Sequence, residues 1–179
     1  MLKKLLIVMV IVLCMAATVA AGAAVWAYRY FTRDLPNLAT ISDYRPPAVS
    51  SIYANNGELV AEFYDNRRYP TKLKDIPLIV QQAFLAAEDA NFYSHQGIDP
   101  ISIVRAFVKN VVAHQARQGA STITQQVVKN LLLSSKRDYE RKIKEAILSF
   151  RLEQKLTKDE ILEIYLNHIF FGNGAYGVT

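Results

Sequence analysis

The chain has one cysteine, Cys14, so no intrachain disulfide can brace it and its stability must come from its core. The residue before Cys14 is Leu13 rather than a small one, which argues against a lipoprotein cleavage site. Charge is missing altogether from Leu5 to Ala27, and Thr18 is the sole hydroxyl-bearing residue there. No internal repeat or low-complexity tract is present, which excludes a repeat array. Acidic residues are scarce between positions 101 and 145. Three stand there against nine basic ones, in a chain whose net charge is only +5.

An uncharged run of roughly 23 residues can cross a hydrocarbon layer about 30 Å thick as a single helix. Lys3 and Lys4 precede it, which predicts a cytoplasmic N-terminus with everything after Trp26 on the outer side. Trp26, Tyr28 and Tyr30 fall where an interfacial aromatic belt belongs. The small residues Ala20, Ala21, Gly22, Ala23 and Ala24 offer a leader-cleavage site, but a cleaved leader usually has an apolar region of only about 7–15 residues. Here the run continues through Val25, Trp26 and Ala27, which favours a retained anchor. The expected organisation is a cytoplasmic tail (1–4), a transmembrane anchor (5–27), a linker (28–48) and an exported domain (49–179). Within the basic segment, a solvated helix surface would balance its signs better. Outside the cell nucleic acid is a poor partner, so anionic lipid head groups or a phosphate-bearing substrate fit better.

Pro36, Pro46 and Pro47 discourage regular structure in the linker. Val49 to Tyr53, then Asn55-Asn56-Gly57, then Glu58 to Tyr64 spell a β-hairpin, because Asn-Gly suits positive φ in a tight turn. After Pro70 the spacing of apolar residues predicts helices near 77–90, 100–115, 122–133, 138–155 and 158–168. Thr157 and Glu160 form a capping box for the last. In the fourth, Ile143, Ile147 and Phe150 make an apolar stripe. The tail "FFGNGAYGVT" reads as a glycine-punctuated loop that leads nowhere, and the last helices want more partners than the chain supplies, so a C-terminally truncated, mainly α domain with one small hairpin is expected.

Four segments stand apart: "EDANFYSHQGID" (88–99), "GASTITQQVVKN" (119–130), "RKIKE" (141–145) and "ILEIYLNHIFFGNGAYG" (161–177). Each has an ordinary reading alone. Glu88 and Asp89 could be charges at a helix end, Ser121 and Thr122 could cap the next helix, "RKIKE" could be a solvated face, and His95 could be a core histidine. Against this, Phe84 and Leu85 lie one turn before Glu88, which predicts a carboxylate partly desolvated and tuned toward general-base use. Glu145 shares its helix side with Arg141, Leu148 and Leu152, so it has a cation and apolar neighbours. Two glutamates in unlike surroundings are what glycosyl chemistry repeatedly uses.

Together the four segments resemble the motifs of family 51 glycosyltransferases, the glycan-polymerising domains of class A penicillin-binding proteins and their monofunctional relatives. The resemblance runs from about residue 80 to 177, in the family's order. It implies a lysozyme-like helical domain with a membrane-proximal jaw that admits lipid. Glu88 then resembles the catalytic base, which takes the proton of the acceptor's 4-hydroxyl. Glu145 resembles the second glutamate, which helps hold the substrate diphosphate, in part through a divalent cation (Mg²⁺ or Mn²⁺). Lys129, Arg137 and Lys142 match phosphate-contacting positions, Ser121 and Gln126 the polar cleft lining, and His95, Gly97 and Asn167 structural positions. The implied partners are lipid II, the growing lipid-linked glycan and the membrane, with other cell-wall synthesis proteins as candidates and nucleic acid excluded.

The chemistry points the same way. A polyprenyl diphosphate leaves as a stable anion and needs charge stabilisation rather than full protonation, which cations supply. A glycoside hydrolase would instead need a protonated carboxylic acid at the leaving oxygen, with no dense cationic cluster beside it. A lysozyme-like hydrolase and a non-catalytic membrane-anchored module stay open as alternatives.

Overall fold

Length and apolarity make the N-terminal run helical: in the computed structural model α1 (Leu2–Thr32) is one continuous helix. The structure describes residues 2–38, 41, 49–64, 68–112, 119–133, 139–172 and 175–178. The stretch Lys3–Thr32 is long and apolar enough to cross a membrane, and none of its most apolar window is buried against protein. Its hydroxyls return to the helix itself, Thr18 Oγ1 donating to the Cys14 carbonyl at 2.6 Å and Thr32 Oγ1 to that of Tyr28 at 2.7 Å. The backbone and these two hydroxyls are thus satisfied within the helix, as a lipid setting demands. Trp26 and Tyr30 stack with ring centroids 5.5 Å apart. This helix and the portion from Pro36 onward are separate compact units.

In the second unit, β1 (Ser50–Tyr53) pairs antiparallel with β2 (Leu59–Phe63), Ser50 opposite Phe63 and Ile52 opposite Ala61. Gly57 takes φ +82° in the turn, and the Glu58 amide donates to Asn56 Oδ1 at 3.0 Å. The helices follow the apolar spacing: α2 (Leu78–Glu88), α3 (Pro100–Val112), α4 (Ile123–Leu132), α5 (Tyr139–Glu153) and α6 (Lys158–His168). Both N-caps that carry a hydroxyl close capping boxes, Thr122 with Gln125 on α4 and Thr157 with Glu160 on α6.

The core forms where α4 packs on both α5 and α6. Ile123, Val127 and Val128 of α4 meet a shielded set made by Leu148 and Leu152 of α5 and Ile161, Leu162 and Leu166 of α6. The face that α5 buries differs from the one expected. Ile143 and Phe150 stay 40% and 43% exposed, while Glu145, Leu148, Ser149 and Leu152 are buried. At 100° per residue these two faces lie on opposite sides of the helix. The physical reason is compensation: Lys142 neutralises Glu145, and Ser149 Oγ donates to the Glu145 carbonyl at 2.7 Å, so burying these polar residues is not prohibitive.

The C-terminal segment also departs from the expected loop. β3 (Phe170–Gly172) pairs with β4 (Ala175–Tyr176), and the Phe170 and Tyr176 rings meet at 4.7 Å. The Gly177 and Val178 amides then donate to the carbonyls of Ile169 (2.9 Å) and Leu166 (3.1 Å), folding the segment back onto the end of α6. A cross-strand aromatic pair stabilises what glycine content alone suggested was irregular.

Arg68 ties the two ends of this unit together. Only 6% exposed, it donates to His168 Nδ1 at 3.0 Å, and its guanidinium lies 4.2 Å from the centre of the Tyr176 ring. A guanidinium only donates, so Nδ1 is unprotonated and the imidazole neutral. Burial first, and Arg68 second, hold the His168 pKa below its ordinary 6.5. On acidification the unfolded chain therefore takes up this proton before the folded one does, and stability is lost as pH falls from about 6.5 toward the depressed folded value. The melting temperature is expected to decline over that window. His168→Gln, whose carbonyl can still accept from Arg68, should flatten the decline; identical slopes for the two proteins in thermal melts would disprove the linkage.

Candidate active site

The site is organised by the buried start of α4. The first amides of any helix lack intrahelical acceptors, and here they are inside the protein. Thr122 Oγ1 accepts from the Gln125 amide at 3.1 Å and donates to the Gly97 carbonyl at 2.7 Å. The Ile123 amide donates to Asp89 Oδ2 at 3.0 Å. Asp89, 7% exposed, also accepts from His95 Nε2 at 3.0 Å. The two glutamine-rich and acidic motifs are therefore bonded directly to one another. Gly97 is required: at φ +81° it lies so close to α5 that a Cβ would sit 2.7 Å from the Ser149 backbone.

From this base the polar groups face outward into a cleft of about 400 Å³ lined by, among others, Glu88, Asp89, Ser102, Arg105, Ser121 and Gln126. Glu88 ends α2, and its carboxylate accepts from Gln126 Nε2 at 2.8 Å. Contrary to the expected desolvation, Glu88 is exposed. Phe84, one turn earlier, packs in an aromatic cluster, 6.1 Å from the Tyr165 ring and 5.9 Å from that of Phe171, and leaves the carboxylate uncovered. The Glu88 carboxylate is thus open to the cleft and to solvent.

Glu145 is the contrasting carboxylate, 1% exposed on α5. Lys142, one turn earlier, donates both to Glu145 and to Ser121 Oγ, the latter at 2.9 Å. Ser121 lines the cleft, so Lys142 carries positive charge from the buried carboxylate to the cleft wall. The two glutamates are linked through one short segment: Gln126 of α4 holds Glu88, and Ser121 just before α4 meets the cation of Glu145. Lys129 lies three residues beyond Gln126, on the same side of α4 and partly buried. Arg137 lies outside the described residues. His95, Gly97 and Asn167 are structural, Asn167 clamping Thr71 by accepting from its amide and donating to its carbonyl, each at 2.8 Å.

Sequence reasoning passed over four residues. Asp89 was weighed only as a helix-end charge, although its caps are what join the motifs. Ser102 and Arg105 line the cleft from α3, and Asp99 caps that helix and holds Ser102: its carboxylate accepts from the amides of Ile101 and Ser102 (3.0 Å each), from Ser102 Oγ (2.6 Å) and from Asn91 (3.0 Å). The bonds from Ser102 and Asn91 hold the Asp99 carboxyl well below the usual carboxylate range. The three-residue spacing of 99, 102 and 105 was the available signal.

Among the described residues no three His, Cys, Asp or Glu side chains cluster as a metal site. Glu145 supplies one carboxylate and Lys142 already engages it, so the donor set fits an ion only if substrate phosphates complete the coordination.

A family model described as Transglycosylase matches residues 56–179. The chain is 46% identical over 171 residues, or 94% of its length, to penicillin-binding protein 1A of Rickettsia bellii (strain RML369-C). It is 49% identical over 158 residues (88% of the chain) to penicillin-binding protein 1A of Escherichia coli (strain K12), and 40% identical over 176 residues (98% of the chain) to that of Vibrio cholerae. The chain spans about a fifth of the length of these curated relatives, 22%, 19% and 21% respectively.

Removing Lys142 leaves a buried carboxylate without its counter-charge. Lys142→Met should cost about 2–3 kcal/mol, toward the low end for a broken buried pair because half of the lysine side chain is exposed. Lys142→Met/Glu145→Gln should recover most of that stability. Denaturant unfolding tests this, and full stability of Lys142→Met would contradict the assigned pairing.

Proposed function

The chain belongs to the transglycosylase family, and on that premise we propose that its cleft joins lipid-linked disaccharides into peptidoglycan strands. The observation that carries this reading is the pairing of a solvent-open carboxylate, Glu88, with a lysine-bridged buried one, Glu145, on either end of the segment 121–126. Glu88 takes the proton from the acceptor's 4-hydroxyl as that oxygen attacks the anomeric carbon of the lipid-linked glycan. The bond to the diphosphate breaks on the opposite face, with inversion, and polyprenyl diphosphate departs. Lys142, Lys129 and Arg137 stabilise its charge, while Ser121 and Gln126 orient the reacting groups. Glu145 sets the position of Lys142. A divalent cation arriving with the diphosphate would find in Glu145 its protein carboxylate, and its contribution would be further neutralisation of the leaving group.

A membrane-borne substrate fits the rest of the chain. Residues 5–27 serve as a single-pass anchor in the bacterial cytoplasmic membrane, with residues 1–4 inside and the domain from about residue 49 outside. In the domain, α3 leaves Ile101, Val104, Phe107, Val108, Val111 and Val112 exposed, Phe107 by 68%. An apolar helix face of this size suits the lipid boundary through which the polyprenyl chain enters.

Glu88→Gln should abolish polymerisation while lipid-linked substrate still binds, and normal chain growth by that variant would refute the base assignment. Release of soluble fragments from polymeric glycan, without consumption of precursor, would instead identify a hydrolase. Phe107→Asp should raise KM for the lipid-linked substrate about ten- to a hundredfold at unchanged melting temperature, as expected for losing roughly 1.5–3 kcal/mol of Phe burial in lipid. An unaltered KM would remove α3 from the lipid path.

A further inference from the structure

Tyr165 is 2% exposed, and its hydroxyl is fully shielded without a hydrogen-bond partner among the described residues. Burying a phenol in this way is costly, and tyrosine hydroxyls inside proteins usually find an acceptor. Its surroundings indicate which acceptor is available. The Tyr165 ring meets Phe84 edge-on, with centroids 6.1 Å apart and planes at 77°. Phe84 and Glu88 stand four residues apart on α2, on one face of that helix. Burial, and after it the negative charge of Glu88, push the phenol's pKa well above its ordinary value. The field of Glu88 therefore reaches the hydroxyl from the neighbouring turn.

We propose that Tyr165 is a positioning residue for Glu88, its hydroxyl donating to one carboxylate oxygen while the other meets the acceptor hydroxyl. In the structure Glu88 is held by Gln126 at 2.8 Å. An ionised carboxylate has about four acceptor sites, so an outer and an inner donor can share it. When substrate displaces Gln126, Tyr165 keeps the carboxylate from swinging into solvent. The phenolic proton stays on Tyr165 throughout, and no bond is made or broken there. Among the described residues, the other charged or titratable groups that line the cleft with Glu88 are Asp89, with its partner His95, and Asp99 and Arg105. None of them approaches from α6, the element that carries Tyr165.

This inference rests on the reading of Glu88 as the base, and two measurements on the full chain separate the one from the other. Tyr165→Phe keeps the ring and removes only the oxygen. With lipid-linked disaccharide as substrate, kcat should fall about tenfold, the scale expected for one hydrogen bond to a charged group, while KM stays within about twofold. The melting temperature should not fall, because no bond of the resting structure is lost. Wild-type kcat in this variant would overturn the proposal.

The second measurement needs no turnover. In protein carrying ¹³Cζ-tyrosine, the Tyr165 resonance, identified by its loss in Tyr165→Phe, should move as carboxylates protonate, and this step should vanish in Glu88→Gln. A Tyr165 resonance that titrates identically in Glu88→Gln would reduce the residue to packing and overturn the proposal, whatever kcat does. A Glu88-dependent step in a protein that polymerises nothing would uphold the proximity of the two side chains and refute the enzymatic reading alone.

Discussion

The domain depends on how one buried helix end is satisfied. The N-terminus of α4 sits in the protein interior, where unpaired amides would be expensive. Asp89 and Thr122 supply the acceptors, and both come from segments that also face the cleft. Satisfying the backbone and assembling the site are consequently one event. A carboxylate at a helix N-terminus is further favoured by the helix dipole, so Asp89 gains on two counts from the position it holds. With Asp89 fixed, Glu88 beside it points into the cleft, and Gln126, one turn inside α4, lies where it can hold Glu88.

The second carboxylate obeys different physics. Glu145 is withdrawn from water, and the cation beside it is half in solvent. Such a pair gives little net stability, since desolvating the carboxylate offsets most of the attraction. What it does provide is a fixed location for an ammonium group that would otherwise wander on four methylenes. Ser121 adds a second acceptor to that ammonium and finishes its placement.

Much of this was legible in the residues. Helix spans followed from apolar spacing, the first hairpin from Asn-Gly, and the Thr157–Glu160 cap from its own four-residue pattern, because each depends on local rules. The family motifs located both glutamates and Ser121, Gln126 and Lys142 around the start of α4. Tertiary compensation was harder to see. An apolar count along α5 selects Ile143, Ile147 and Phe150, whereas the fold buries the opposite side because Lys142 and Ser149 make its polar members tolerable. Exposure of Glu88 was equally hidden, since nothing in the sequence says that Phe84 turns toward Tyr165. The second hairpin escaped because its cross-strand contact, Phe170 on Tyr176, is a pairing rather than a periodicity.

The contact between Gly97 and α5 has a mechanical side. With no side chain between them, the motif turn and the Ser149 peptide touch as two pieces of main chain, and neither can yield without dragging the other. Ser149 stands one helical turn from Glu145 and is bonded to its carbonyl. A side chain at position 97 would therefore press on the Ser149 peptide and force apart α5 and the loop bearing His95, which holds Asp89. The absent side chain thus sets the spacing between the helix that carries Glu145 and the turn that fixes the rim of the cleft.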